Sequence, residues 1–164
     1  MAQQSPGKPH LGGLLVRRGC APDLQTAIRQ YITPGDAGDD RIGADMAIGA
    51  IRHAGGIAVW AHPLGGEGER RLSPECFEAM LNGLKRLGIQ GMECFYSRYG
   101  REEAEFLLAQ ARMHGLLVAG GSDYHGANKT GIALGRLNAE DADVDAGSIT
   151  VLHAMNARRG ASPV

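Results

Sequence analysis

This sequence lacks the signatures of several functional classes. Its three cysteines, Cys20, Cys76 and Cys94, lie far apart and form no C-x-x-C pair, so neither a zinc knuckle nor a disulfide framework is indicated. No apolar run reaches membrane-spanning length, and the opening MAQQSPGKPH carries no signal-peptide pattern. A cytoplasmic protein without membrane contact is therefore expected.

Charge and motif content exclude further classes. The formal net charge is −1, which gives no basic footprint for duplex DNA, although a few placed cations suffice to bind a phosphate group. No Ser or Cys stands in a G-x-S-x-G elbow, and GGEGER (65–70) lacks the Lys-Ser/Thr ending of a P-loop. The 164 residues are most simply one domain with a real core.

Hydrophobic patterning divides the chain into a helical part and an alternating part. A flexible segment at 1–9 precedes a helical region at 10–54, in which the helix at 22–32 places Pro22 in its first turn. Residues 33–43 read as a loop, and the helix that follows it presents Ala44, Ala47, Ile48 and Ile51 on one apolar face.

Residues 55–158 are predicted to form a βαβαβ arrangement, followed by a tail at 159–164. Short apolar runs predict strands at 56–63, 89–96 and 115–123. Ser73-Pro74 begins a helix that Gly88 ends, with Phe77, Met80, Leu81, Leu84 and Leu87 on its inner face. Short strands joined through helices imply an α/β fold with parallel pairing.

In such folds, functional groups collect beyond the carboxyl ends of the strands. His62 follows the first strand, Glu93 and the Ser97-Arg98 turn lie at the second, and Asp123 and His125 follow the third. All of these residues are therefore expected at one rim.

Asp123 and His125 are spaced i, i+2, which points both side chains to one side of an extended backbone. An imidazole with a carboxylate suits Zn, Mn or Fe, and His62 would add a ligand from the neighbouring strand. The alternative is that Asp123, and His62 which precedes Pro63, only cap turns through hydrogen bonds.

Two further residues have competing interpretations. Lys129, in a loop rich in Gly and Asn, is either a phosphate-binding cation or a solvated lysine. Glu93 lies inside an apolar strand, where an ionised carboxylate needs a partner. It is a metal ligand, a partner that holds a histidine, or half of a salt bridge with Arg98 or Arg101.

The segments AHP, MECFYSRYGREEAEFLL and GLLVAGGSDYHGANKTGIALG, with KPHLGGLLV in support, resemble the PHP (polymerase and histidinol phosphatase) family. The resemblance runs from about His10 to about Gly135 and is to the carboxyl-terminal half of its small metal-dependent phosphoesterases. It implies part of a distorted (β/α)₇ TIM-like barrel with two or three divalent metals, and hydrolysis of phosphate esters in nucleotides or short oligonucleotides.

The resemblance also implies site roles. His62, Asp123 and His125 match metal ligands, His10 and Lys129 match positions facing substrate or the reacting phosphate, and Ser97 and Arg98 are candidates to bind substrate. The role of Glu93 stays open, including that of a partner to a ligand. The metal is expected to be Mn, Zn or Fe.

The sequence departs from the family because no two of its histidines are spaced i, i+2, as the family's opening His-x-His strand requires. Three matched ligands do not fill two or three metal sites. We therefore expect an incomplete or split form, from a truncated gene or an internal start. It would be completed by a chain that carries the other half or by a second copy. The alternative is a non-catalytic remnant that binds a ligand or partner.

Overall fold

The computed structural model describes residues 8–32, 42–66, 69–126 and 131–160. Among these, 8–32, 124–126 and 131–132 belong to one compact unit, and the others belong to a second. Parts of the predicted flexible start (1–7), loop (33–41) and tail (161–164) lie outside the described residues, as does Lys129.

The first unit is helical. Helix α1 spans Lys8–Arg17, and α2 (Leu24–Ala27) continues into a π-helical segment, Ile28–Ile32. The side chain of Asp23 accepts a hydrogen bond from the Thr26 N–H at 2.7 Å and so caps α2. The prediction that Pro22 lies in the first turn was wrong. The helix begins after Asp23, because the Asp23 carboxylate accepts from the otherwise free Thr26 N–H.

The second unit is built on a parallel sheet. Its elements are α3 (Ala44–His53), β1 (Val59–Trp60), α4 (Pro74–Leu87), β2 (Gly91–Tyr96), α5 (Arg101–His114), β3 (Leu117–Gly121), a 3₁₀ turn (Ala146–Ser148) and α6 (Thr150–Gly160). The strands pair in parallel in the order β1-β2-β3. This confirms the predicted α/β class with strands that alternate with helices.

Local signals in the sequence set the ends of the two helices that cross the sheet. Helix α4 begins as predicted, since the Ser73 hydroxyl accepts from the Cys76 N–H at 3.3 Å and Pro74 occupies the first turn. The Glu103 carboxylate accepts from the Gly100 N–H at 2.9 Å at the start of α5. Gly88 and Gly115 end the two helices in the left-handed conformation.

Strand β1 is much shorter than the predicted 56–63. Its ladder with β2 contains only the pairs Val59–Gly91 and Trp60–Met92. Before the ladder, the Ala58 N–H donates to the Gln90 side chain at 3.3 Å instead of to a strand backbone. After it, the His62 N–H donates to the Glu93 side chain at 2.6 Å, and Pro63 has no N–H to donate.

The core lies where α4 and α5 cover the sheet. Its buried residues are Phe77, Leu81, Met92, Cys94, Phe95, Tyr96, Tyr99, Ala104, Leu107 and Ala111. Met80 and Leu87, predicted on the inner face of α4, are 46% and 39% exposed, because the helix buries only a narrow stripe against three strands. Ile51 of α3 is likewise exposed, and only Ile48 of its predicted apolar face is buried. Within the described residues, no helix is both long and apolar enough to cross a membrane.

The side of β3 away from β2 is closed by α6. The Val118 N–H donates to the Thr150 hydroxyl at 2.9 Å. A side chain at the start of α6 thus takes the place of a neighbouring strand for this N–H group.

Replacing Thr150 with Val should lower the free energy of unfolding by about 1–2 kcal/mol, because it leaves the half-buried Val118 N–H without an acceptor. Thr150→Ser keeps the hydroxyl and is the matched control. Chemical denaturation of the three proteins measures the difference. Equal stability of the Val and Ser variants would show that the hydrogen bond contributes nothing.

Candidate metal site

Three predicted site residues come together at the carboxyl ends of the strands. His62 follows β1, Glu93 lies within β2, and Asp123 follows β3, all in the second unit. The His62 backbone N–H donates to Glu93 Oε2 at 2.6 Å. This contact is the one expected if Glu93 holds a histidine, here through the backbone of that histidine, and the role of Glu93 at a metal stays a prediction. The salt bridge to Arg101 is not formed, since Arg101 pairs with Glu105 at 2.7 Å.

A β-bulge in β2 brings a further residue, Tyr96, to the site, and the sequence analysis did not predict it. The pairing of β2 with β3 jumps from Glu93–Ala119 to Phe95–Gly120, so Cys94 is the extra residue. In a regular strand, positions 93 and 96 face opposite sides. The bulge brings both to the site.

Tyr96 is fully buried and lies between the two outer residues of the site. Its hydroxyl donates to Asp123 Oδ2 at 3.2 Å, and its ring centre lies 5.6 Å from that of His62. Only knowledge of the bulge would have indicated it, and the sequence gives no signal of a bulge at Cys94.

His62 and Asp123 both have left-handed backbone conformations, with φ angles of 29° and 53°. Such angles cost a non-glycine residue about 1 kcal/mol or more each. They persist only where the surroundings hold them, and such strain collects at functional sites. The hydrogen bonds from the His62 N–H and to the Asp123 carboxylate provide that restraint.

The carboxylates of this site are electrostatically coupled. Burial raises the pKa of Glu93 above its ordinary value, and the charge of Asp123 raises it further. The His62 N–H and imidazole lower the same pKa and oppose those effects. A carboxylate whose pKa is raised by a second carboxylate, beside an imidazole, forms an arrangement that a divalent cation would stabilise.

The donor types fit the expected metal, but the described residues do not complete a site. Nitrogen from His62 and oxygens from Glu93 and Asp123 suit Zn, Mn or Fe. Within 8–32, 42–66, 69–126 and 131–160, however, no three His, Cys, Asp or Glu side chains converge closely enough to hold one ion. The predicted ligand set of His62, Asp123 and His125 therefore stays a prediction.

Four other predicted site residues lie within the described part of the chain. His10 and His125 are exposed and belong to the first unit. Ser97, in contrast, is buried, and its hydroxyl donates to the Ser122 carbonyl at 2.8 Å, which ties the end of β2 to the residue before Asp123. Arg98 is half-buried, and its carbonyl accepts from Arg71 at 3.2 Å.

The loop that carries His62 is held by a buried tyrosine and an arginine. The Leu64 N–H donates to the Tyr99 hydroxyl at 2.8 Å, and that hydroxyl donates to the Gly65 carbonyl at 3.3 Å. Arg71 donates to the same carbonyl at 2.8 Å and lies over the Tyr99 ring at 4.9 Å. Burial raises the pKa of Tyr99, so its hydroxyl keeps its proton near neutral pH.

Tyr99→Phe should lower the free energy of unfolding by about 1–3 kcal/mol, because the Leu64 N–H loses its acceptor in a half-buried position. Amide hydrogen exchange should become faster at Leu64. Tyr31→Phe is the control, since Tyr31 is 53% exposed. A change of the same size in both variants, or unchanged exchange at Leu64, would show that Tyr99 does not hold this loop.

Gly121 at the end of β3 leaves the space that Glu93 occupies. A Cβ at this position would lie 2.5 Å from Glu93 Oε1. Glycine here thus allows the carboxylate to reach the His62 backbone between two strands.

Gly121→Ala should destabilise the protein by about 1–3 kcal/mol through overpacking against Glu93. Gly83→Ala is the matched control, because a Cβ there meets nothing and alanine suits a helix interior. Thermal unfolding compares the two. Glu93→Ala should reduce the cost of Gly121→Ala in a double-mutant cycle, and additive effects would contradict the proposed contact.

Comparison with known proteins shows which proteins this chain is similar to. No family model matches the chain. It is 30% identical over 131 residues to a 3′,5′-nucleoside bisphosphate phosphatase of Chromobacterium violaceum, covering 78% of this chain and 45% of that protein. It is 29% identical over 119 residues to the 5′-3′ exoribonuclease Rnm of Escherichia coli, covering 71% of this chain and 39% of that protein.

Two solved structures show the same architecture. One is from Bifidobacterium adolescentis and is designated a metal-dependent phosphoesterase; it matches with a TM-score of 0.62 and 27% identity, over 93% of this chain and 50% of that one. The other is an amidohydrolase from Chromobacterium violaceum with bound sulfate and no metal, with a TM-score of 0.66 and 25% identity, over 91% and 50%.

These matches confirm the resemblance to PHP-type phosphoesterases, and the chain is related to that class. It spans about half the length of the curated relatives that it matches.

Proposed function

We propose that this chain contributes the His62–Asp123 part of a PHP-type metal site that hydrolyses phosphate esters. The observation that carries the proposal is the arrangement of three polar residues at the rim, the carboxyl ends of the strands. His62 and Asp123, both in left-handed backbone conformations, flank the half-buried Glu93 at the carboxyl ends of parallel strands. Strained, charged groups held together at that edge are typical of a functional site.

The proposed substrates are nucleotides or short oligonucleotides. The two curated relatives are named as a nucleoside bisphosphate phosphatase and an exoribonuclease, both of which act on phosphate esters of nucleotides. A small phosphorylated substrate is also consistent with the formal net charge of −1, which provides no extended basic surface for duplex DNA.

The roles of the residues follow from their contacts. The imidazole of His62 and the carboxylate of Asp123 would hold a Mn, Zn or Fe ion, while Glu93 fixes the His62 backbone and Tyr96 orients Asp123. When bound, the ion would supply positive charge to the phosphoryl oxygens and make an attacking water more acidic. Without such a cation the two carboxylates would repel an anionic substrate.

The remaining predicted residues complete this proposal. His125 would add a ligand, and His10 and Lys129 would face the phosphate of the substrate, with Ser97 and Arg98 near it. Because the chain spans about half of its relatives, a second chain, a longer form or a second copy would supply the other ligands.

A non-catalytic binding module is the alternative. It is favoured by one observation, namely that the described residues contain no group of three side chains able to hold a metal. Such a module would bind a ligand or partner at the same rim and would turn over no substrate.

His62→Ala and Asp123→Ala should each reduce Mn- or Zn-dependent phosphatase activity at least about 100-fold, since even residues that only support metal ligands cost 10–100-fold. The assay uses a nucleoside 3′,5′-bisphosphate and a short RNA, on this chain alone and with the complementing part supplied. Elemental analysis should show less bound metal in both variants.

His153→Ala is the control, because His153 is an exposed histidine on α6. Unchanged turnover in the His62 and Asp123 variants would overturn the catalytic proposal. Absence of turnover and of bound metal in the wild-type protein, with and without the complementing part, would instead support the binding module.

A further inference from the structure

A second pocket lies at the opposite end of the sheet from the metal site. Its volume is about 730 Å³, and it is lined by residues at the end of α3, before β1 and β2, and near the end of α6. Gly55 and Gly56 precede β1 and Gln90 precedes β2, so the pocket opens at the amino ends of the strands. None of its residues belongs to the rim that carries His62 and Asp123. We call it the arginine pocket.

The lining of the arginine pocket is positively charged. Arg52, His53 and Arg158 contribute two guanidinium groups and an imidazole, Gln90 contributes a carboxamide, and no lining residue carries a carboxylate. The Gln90 Oε1 is engaged by the Ala58 N–H, so its amide N–H groups remain as donors. The side chains therefore offer more donors than acceptors.

Backbone carbonyls at the arginine pocket already accept hydrogen bonds from other groups of the protein. Without these hydrogen bonds, they would repel an anion. The Arg52 and Ile51 carbonyls at the end of α3 accept from the N–H groups of Gly55 and Gly56 at 3.0 and 2.9 Å. The Gly55 and Gly56 carbonyls accept from Arg158 Nη1 at 3.2 and 2.9 Å. The remaining N–H groups of the Arg158 guanidinium are left for a ligand.

Arg52 is the second arginine of the pocket. Within the described residues its guanidinium makes no hydrogen bond or ion pair, and it lies directly over Gly88, where any Cβ would overlap it. Gly88, with a φ of 90°, thus leaves a space beside α4 in which this guanidinium rests. A cation without a carboxylate partner, positioned at a pocket beside a second arginine, favours anion binding.

We propose that the arginine pocket binds the phosphate group of a small phosphorylated molecule. Planar guanidinium groups bind phosphate oxygens in pairs, which favours phosphate over a simple halide. A volume of about 730 Å³ exceeds what phosphate alone needs and lies within the range for small organic ligands. This inference is independent of the proposed hydrolytic activity, since it uses neither a metal nor any rim residue.

The test is a titration of the metal-free chain with inorganic phosphate and with adenosine 5′-monophosphate, followed by backbone amide NMR. The amides of Gly55, Gly56 and Gln90 should shift with both ligands. Arg52→Gln should weaken this binding about tenfold, as expected for the loss of a charge-assisted contact. Arg112→Gln removes an exposed arginine that does not line the pocket and should leave it unchanged.

Arg52→Lys separates charge from geometry, because lysine keeps the charge and loses the planar pair of donors. It should bind more weakly than the wild-type chain and more tightly than Arg52→Gln. Tighter binding of the nucleotide than of phosphate would identify a phosphorylated organic ligand, and equal binding would identify phosphate itself.

No shift at Gly55, Gly56 and Gln90 with either ligand would overturn the inference. The same conclusion follows if Arg52→Gln binds as tightly as the wild-type chain, or if shifts occur only at residues near His62 and Asp123. Thermal unfolding of each variant verifies that it is folded, which is expected because Arg52 is exposed.

Discussion

The hydrogen bond from the His62 backbone to the Glu93 carboxylate is the contact on which the rest of the rim depends. The ladder between β1 and β2 ends at Trp60–Met92, and two residues later this bond continues the hydrogen bonding between the chain after β1 and β2. Glu93 is half-buried, and an ionised carboxylate in that position needs a strong donor. The same bond restrains His62 at a φ that a free chain would rarely adopt. One contact thus gives a half-buried carboxylate a donor and restrains the backbone of a candidate ligand.

The central strand builds the site because it is irregular. The extra residue at Cys94 lets Glu93 reach one neighbouring strand end while Tyr96 reaches the other. The absence of a side chain at Gly121 provides the room that Glu93 occupies. Burial raises the pKa of Cys94 to about 12, so this thiol stays protonated in the core and serves packing. A regular strand of the same sequence would separate the two polar groups by placing them on opposite faces.

The sequence predicts this fold where a local signal determines the structure, and fails where a distant contact does. Ser73-Pro74 and Gly88 fix the ends of α4 through groups within a few residues, and both were predicted. The length of β1 was not, because it depends on the Gln90 side chain replacing a backbone partner. At the site, the meeting of His62, Glu93 and Asp123 follows from the parallel order of the strands. Tyr96 was not predicted, because a bulge changes the side of the sheet to which the later residues of a strand point. The sequence pattern does not indicate such a bulge.

The two ends of the sheet differ in the charge of their side chains. Carboxylates at the carboxyl ends favour a cation, and arginines at the amino ends favour an anion. At the carboxyl ends, the charge of Asp123 lies close enough to help raise the pKa of Glu93, and in the proposed metal site a cation would offset the repulsion between these carboxylates and a phosphate. At the amino ends, Arg52 and Arg158 face a pocket that no carboxylate lines, and the nearby carbonyls are already paired. Phosphate binding at the arginine pocket, as proposed, would therefore need no metal. Metal dependence would thus separate the two proposed modes of binding, whichever molecule carries the phosphate.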